Sequence, residues 1–197
     1  MGMSENSIIP MFPLTLLPLP GELVPLHIFE PRYKQLLEDA ETSDIGFGIF
    51  LNHLCNEKKL GSLMKLESVI KRFPEGEADI VVRCIDVFSV DKLLRNYKNK
   101  LYPGGEIKPT DIDPKAMPGV ELYQLFLSFQ EKRKINRHFT AFTLYQVAAE
   151  LNPDVFDRYK LLSLPASKKE TFLISQMKYH LDIIAREQGS KDVFHLN

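Results

Sequence analysis

The sequence has little cysteine and almost no net charge, and each shortage excludes a class of protein. Its 197 residues include only 2 cysteines, Cys55 and Cys84, which cannot form a disulfide framework and lack the spacing of zinc ligands. Two isolated thiols fit a reducing cytosol. The 25 basic and 26 acidic residues give a net charge of −1, so overall charge favours neither nucleic acid nor an anionic membrane as a partner. We expect no metal and no cofactor.

The chain also lacks the sequence signals of a membrane span, a secretory leader and a nucleotide-binding loop. No apolar run approaches the ~18 residues of a membrane span. The N-terminal region has no basic start, its prolines interrupt any apolar helix, and no small-residue cleavage site follows. We therefore expect a cytoplasmic protein with no membrane partner. No glycine is followed by Lys-Ser or Lys-Thr, so the phosphate-binding P-loop is absent and ATP hydrolysis is not expected.

The most informative stretch that is present covers residues 10–33, PMFPLTLLPLPGELVPLHIFEPRY, with six of the 13 prolines. Proline fixes φ and removes a backbone donor, which excludes a helix interior or an ordinary central strand. The leucine, isoleucine and phenylalanine content nevertheless demands burial. We predict an extended, kinked segment that turns at Pro20-Gly21 and enters a helix at Glu30-Pro31. The core residues expected from it are Leu26, Ile28 and Phe29.

The order of periodicities along the chain predicts an α+β fold. A helix follows Pro31, with the spacing of one buried face at Tyr33, Leu36, Leu37 and Ala40. Strand-like segments then occupy residues 45–51, where glycines indicate a close backbone approach, 61–73, 78–94 and 107–109. Apolar residues change phase within residues 83–86, which predicts a bulge or bend there. Helical periodicity begins beyond a proline-containing linker, so we divide the chain into a β-rich domain, residues 1–112, and a helical domain, residues 118–190.

The start and end of the last long helix are predicted from local signals. Ser167 and Glu170 have the spacing of a capping box, in which each side chain binds the other's backbone donor. Gly189 is a plausible end for this helix.

Within residues 10–33, residues 10–14 (PMFPL), the Pro20-Gly21 turn and residues 24–33 (VPLHIFEPRY) closely resemble the opening of the Lon protease N-terminal domain, the LON substrate-binding domain. The resemblance implies a PUA-like β pseudo-barrel followed by a C-terminal α-helical bundle. The chain ends before an ATPase or protease domain of Lon could begin, so we expect a stand-alone, non-catalytic member. The positions carrying the motif, to which we assign structural roles, are Pro13, Pro20, Gly21, Pro25, His27, Glu30 and Pro31.

The same resemblance implies that the protein binds unfolded or extended protein segments, as an adaptor or regulator of proteolysis with a protease as a further partner. An apolar groove between barrel and bundle, or an exposed sheet edge, would accept the segment. The residues expected to contact it are Phe29, Arg32, Tyr33, Phe126 and Phe129. The sequence leaves the oligomeric state open.

Isolated polar residues have both functional and structural interpretations. His27 could titrate near neutrality, but without a second ligand at suitable spacing we interpret it as a packed, hydrogen-bonded imidazole that fixes the turn into the helix. His53 and Cys55 could face each other in an extended segment, yet no third ligand lies nearby, which favours an ordinary loop. For Arg32 we expect pairing with a carboxylate.

Two rival functions remain open at this point. Basic residues cluster in two runs, residues 92–100 and 132–137, and PUA-like barrels include RNA-binding members, so an RNA-binding module is the main alternative. Acidic residues nearly balance the basic ones, and we do not expect a nucleic-acid partner. A small enzyme that uses His27 and Arg32 on a minor ligand is the third possibility.

Overall fold

A computed structural model describes residues 7–135 and 142–194, with side chains up to residue 187. Its strands are β1 (Ser7–Leu14), β2 (Leu23–Ile28), β3 (Phe47–Leu51), β4 (Leu60–Arg72), β5 (Ala78–Leu94) and β6 (Gly104–Pro109). Its helices are α1 (Pro31–Ser43), α2 (Val120–Arg133), α3 (Leu144–Glu150), α4 (Val155–Ser163) and α5 (Ala166–Phe194). The strands precede four of the helices, as the periodicity predicts.

The strands form one sheet that closes on itself. Their order is β2-β5-β4-β3-β1-β6, and a further pairing between β5 and β6 completes the ring. Among the described strands, only β1 and β3 pair in parallel; the other pairs are antiparallel. The predicted α+β class, a closed β structure followed by helices, is confirmed.

The described residues divide into two compact units. The sheet unit contains the six strands, α1 and also the segment Asp154–Ser163, which includes α4. The helical unit contains α2, α3 and α5. Our division into residues 1–112 and 118–190 stays a prediction.

Strand β5 contains the bulge that its apolar pattern predicts. Asp86 pairs with Leu63 and Cys84 with Met64, which leaves Ile85 without a partner in β4. The extra residue changes which alternate side chains of β5 point into the core. Cys84 and Val87 are therefore both buried, although they are three residues apart, whereas Ile85 is exposed. The bulge therefore lets one long strand line the core on both sides of the bend.

One end of the core is built on close contact between glycines and an aromatic ring. Phe88 is fully buried and packs with Met11, Val90 and Ile107. A Cβ at Gly48 would lie 2.5 Å from Phe88 Cζ, and one at Gly61 would lie 2.6 Å from the same atom. The close approach predicted around Gly48 is thus confirmed, since the ring needs the space that both glycines leave.

Helix α1 closes the other end of the core through the predicted face. Tyr33, Leu36, Leu37 and Ala40 are all buried, and the Tyr33 ring stacks on Phe12 at 3.8 Å between centroids. Pro31 occupies the first helical turn, where its missing donor costs nothing.

The partly buried carboxylate of Asp39 ties α1 to the chain before β6. Asp39 accepts hydrogen bonds from Lys100 Nζ at 2.8 Å and from the Tyr102 hydroxyl at 2.6 Å. Burial alone raises the pKa of the Asp39 carboxyl, but the bonds from Lys100 and Tyr102 outweigh it and hold that pKa below its usual value. Burial, followed by the charge and hydrogen bond of Asp39, raises the pKa of the Tyr102 phenol. Ionised Asp39 therefore stabilises the folded state.

Two predictions about the ends of helices are wrong. Helix α5 begins at Ala166 and runs to Phe194, so Ser167 lies inside its first turn and Gly189 does not end it. The Glu170 carboxylate accepts the backbone N–H of Gly119 at 2.7 Å instead of forming a box with Ser167. Helix α3 of the helical unit does have a capping box, in which Thr143 and Gln146 bind each other's backbone donors.

Candidate functional site

Strand β2 lies at an edge of the sheet, and its outer side has no partner strand among the described residues. Cys84 donates its N–H to the Glu22 carbonyl at 2.9 Å. Because hydrogen-bonded and non-hydrogen-bonded pairs alternate, Leu23, Pro25 and His27 direct their backbone groups away from β5. Because the backbone nitrogen of Pro25 points away from β5, its missing N–H removes no hydrogen bond between β2 and β5. The outer side of β2 therefore offers backbone donors and acceptors, with one donor missing at Pro25.

An aromatic surface lies at the end of this edge. The His27 ring stacks against Phe29 at 5.9 Å between centroids and meets Phe73 edge-on at 5.8 Å. Phe29 is 57% exposed, so its prediction as a core residue is wrong: the residue follows the last residue of β2 and faces solvent. Lys71 Nζ covers the Phe73 ring at 4.4 Å. We call His27, Phe29 and Phe73 the β2 edge patch.

Acidic side chains hold the imidazole of His27. Its Nδ1 lies 2.7 Å from Asp79 Oδ1, and its Nε2 lies 3.6 Å from Glu77 Oε2. His27 is hydrogen-bonded as predicted and packs against Phe29 and Phe73, although about half of its side chain is exposed. Because both ring nitrogens face carboxylates and neither faces a hydroxyl or thiol nucleophile, the arrangement positions an aromatic surface and does not resemble a catalytic triad.

The five predicted contact residues divide into exposed and buried groups. Phe29 and Arg32 are exposed, and Arg32 pairs with Glu30 at 2.7 Å while its guanidinium lies 4.6 Å from the centre of the Tyr33 ring. Tyr33, Phe126 and Phe129 are buried, so an incoming segment cannot touch them without opening the core. We therefore place these three in the core and keep Phe29 and Arg32 as candidates for contact.

The motif prolines and glycine occupy positions that suit their geometry. Pro13 lies in β1 opposite Phe50 of β3. The expectation that the prolines exclude a central strand is wrong here, because β1 lies between β3 and β6; its residues 7–10 pair with β6 and its residues 11–14 with β3. Pro20 precedes Gly21, whose φ of 85° is a conformation that favours glycine. Glu30 precedes α1 in an extended conformation, without a side-chain capping bond.

A cavity of about 240 Å³ adjoins the beginning of β2, and the sequence does not predict it. Residues 15–18, Glu22 and Val24 line one side, and Val155 and Arg158 of α4 line the other. Arg158 forms a two-pronged ion pair with Glu22, with Nη1–Oε2 at 2.5 Å and Nη2–Oε1 at 2.9 Å. The pair joins residues 136 positions apart, so no local pattern could reveal it.

His53, Cys55 and the two basic runs are the other candidates for a functional site. His53 Nδ1 lies 3.1 Å from Cys55 Sγ, but no cluster of three metal-ligating side chains occurs in the described part of the chain. Lys100 of the first basic run is bound to Asp39, and Arg137 of the second lies outside the described residues. No helix within residues 7–135 or 142–194 is long and apolar enough to span a membrane.

Comparison with known proteins finds a matching family and similar solved structures. Residues 8–182 match the family model described as the ATP-dependent protease La (LON) substrate-binding domain. The crystal structure of a Lon N-terminal domain protein from Xanthomonas campestris is similar, with a TM-score of 0.62 and 23% identity over 80% of this chain and 90% of that one. The N-terminal domain of Mycobacterium avium complex Lon protease gives a TM-score of 0.49 and 13% identity over 91% and 98% of the two chains. No curated protein sequence matches.

Proposed function

The chain belongs to the LON substrate-binding domain family, and from this premise we propose that it is a non-catalytic module that binds extended segments of other proteins. In this role it serves as an adaptor or regulator that presents a client to a protease. The observation that carries the proposal is the combination of an unpaired strand edge with the exposed β2 edge patch.

The edge of β2 suits strand addition because the backbone groups of alternate residues point away from β5 and the side chains of the same residues form an exposed, mainly apolar and aromatic row. Leu23, Pro25 and His27 are exposed, and Phe29 extends the row beyond the strand. An extended segment that pairs with β2 gains backbone hydrogen bonds from the edge and apolar contacts from the patch. The backbone hydrogen bonds then supply the affinity for the segment, and the side-chain contacts determine which sequences are preferred.

Strand β2 pairs more regularly than the second half of β4, whose residues after Met64 do not pair with β3. The β4–β5 pairing shifts register between Leu66 and Ser68 and again between Val69 and Lys71, so extra residues interrupt β4 there. Bulges disrupt strand addition, whereas β2 pairs with β5 in continuous register from Leu23 to Ile28. We therefore place the client at β2.

A peptide-binding experiment tests the proposal. A panel of fluorescent peptides from unfolded proteins is titrated with the protein, and anisotropy reports binding. Peptides that bind are then remade with N-methyl groups on alternate amides, one set on each edge of the extended peptide. Strand addition predicts that methylation of one edge abolishes binding while methylation of the other leaves it unchanged.

The variant Phe29→Ser should weaken binding at least about fivefold, because an exposed aromatic anchor is lost. The control Tyr179→Ser changes an aromatic residue of α5 that is 63% exposed, and it should bind as the unaltered protein does. Absence of binding by every peptide at ~100 μM, a weak affinity of about −5.5 kcal/mol, would refute the proposed function. Equal effects of methylation on both edges would refute strand addition.

A further inference from the structure

The cavity beside β2 is built from two distant parts of the chain that an ion pair holds together. Glu22 accepts the backbone N–H of Leu19 at 2.8 Å in addition to the two bonds from Arg158. Arg158 Nη1 also lies 3.4 Å from the Leu17 carbonyl. These bonds tie α4 to the segment that precedes β2, so the cavity walls are positioned by the fold.

The charges of this pair are largely withdrawn from solvent and directed at each other. The side chains of Arg158 and Glu22 are only 15% and 20% exposed. Both carboxylate oxygens of Glu22 accept hydrogen bonds from the guanidinium, which neutralises the pair internally. A charged ligand would have to displace one partner from the other, so the chemistry of the cavity favours a neutral occupant.

The rest of the lining is mainly apolar. Leu16, Leu17, Pro18, Val24 and Val155 supply hydrocarbon, and exposed Thr15 also belongs to the lining. Its volume of about 240 Å³ is below the ~300 Å³ at which pockets for small molecules begin. The space is large enough for one apolar side chain, since a cavity of about 150 Å³ already holds a benzene molecule.

We propose that this cavity binds a single leucine, methionine or phenylalanine side chain of an extended protein segment. The inference rests on the proposed function and adds a specificity site to it. Val24 belongs both to β2 and to the cavity wall, so a segment bound along β2 has a side-chain site at the beginning of the strand.

Two changes at Val155 test this site. Val155→Phe places a larger side chain in the wall and fills the space, whereas Val155→Ala enlarges it. The control Val120→Phe makes the same change at a valine of α2 that is 75% exposed and does not line the cavity. Thermal unfolding of each variant shows whether it folds.

The ligands are peptides of one sequence with Ala, Leu, Phe or Asp at one position, scanned along a peptide that binds. At the position that enters the cavity, Leu should bind about 10- to 100-fold more tightly than Ala, because a buried side chain of this size is removed from water. Val155→Phe should abolish that difference, while Val155→Ala should shift the preference from Leu towards Phe. A change that merely weakened the fold would not reverse a preference.

The outcomes separate this inference from the proposed function. Peptides that bind with equal affinity whatever the residue at each position, or that keep the Leu preference in Val155→Phe, overturn the cavity assignment and leave client binding intact. If no peptide binds the unaltered protein, both proposals fall. Binding of the Asp peptide as tightly as the Leu peptide would also overturn the assignment, because the cavity would then accept charge.

Discussion

Replacement of Gly48 by alanine should destabilise the protein through a collision that a second substitution relieves. The new methyl carbon would lie 2.5 Å from Phe88 Cζ and 3.0 Å from Phe88 Cε1, whereas carbon atoms in contact prefer about 3.5–4.0 Å. The overlap of about 1 Å must be absorbed in a core where Phe88 is fully buried. Overpacking of this kind costs about 1–3 kcal/mol of unfolding free energy.

The variant Phe88→Leu removes the ring atoms that the methyl carbon meets. Alone it should destabilise by less than the ~3–5 kcal/mol of a Phe→Ala change. Together with Gly48→Ala it should cost less than the sum of the two single changes, with a favourable coupling of at least about 1 kcal/mol. The remaining neighbour, Met11 Sδ at 2.8 Å, belongs to a flexible side chain that can move aside.

Gly61→Ala provides the matched control. Its methyl carbon would also meet Phe88, but it would lie 2.9 Å from the backbone carbonyl of Ile49, which Phe88→Leu does not remove. The rescue of Gly61→Ala by Phe88→Leu should therefore be smaller. Urea unfolding followed by circular dichroism gives each free energy, compared at equal slopes. Additive costs for Gly48→Ala and Phe88→Leu, within about 0.5 kcal/mol, would refute this account of the core.

Three further predictions concern separate parts of the molecule. The pKa of Asp39 is lowered in the folded protein, so ionised Asp39 stabilises the fold above its unfolded pKa of about 3.9, and this stabilisation is lost as pH falls through the folded pKa. The difference in unfolding free energy between the unaltered protein and Asp39→Asn should therefore shrink in acid. A difference that grows in acid would contradict this account of Asp39. Cys84 is buried, which raises the pKa of its thiol, whereas Cys55 is partly exposed. A thiol reagent should therefore react with one cysteine in the native protein and with two in urea. Rapid reaction of both cysteines in the native protein would contradict the burial of Cys84. Thr143→Ala should lower the free energy of unfolding by about 1 kcal/mol, because it removes the cap of α3. Thr143→Ser keeps a capping hydroxyl and should retain most of this stability, so equal unfolding free energies for the two variants would exclude the cap.

Local patterns predicted the elements whose cause is local. The face of α1 was visible because residues three and four apart in sequence share a side of a helix. The bulge at Ile85 was visible because a strand that buries residues of both phases must change phase somewhere. These features depend on neighbours in sequence, so their prediction needed no knowledge of the fold.

Predictions that required a choice between equivalent patterns were less successful. Ser167 and Thr143 both stand three residues before a Glu or Gln, but only Thr143 uses that spacing as a cap. Glu170 binds Gly119, which lies 51 positions away in sequence. Phe29 belongs to an apolar run that looks like core, yet it lies beyond the last residue of β2 and faces solvent. In each case a partner distant in sequence, or the end of a strand, decided the outcome.

The sequence alone determined the α+β class and the buried face of α1, because apolar spacing acts within a few residues, and the resemblance of residues 10–33 to the opening of the LON domain identified the family. Only the tertiary structure decided which side chains are available to a partner. It buries Tyr33, Phe126 and Phe129, exposes the β2 edge patch, and brings Arg158 to Glu22 across 136 positions. Burial and long-range pairing depend on how the elements pack, and the spacing of residues along one chain does not encode which faces meet.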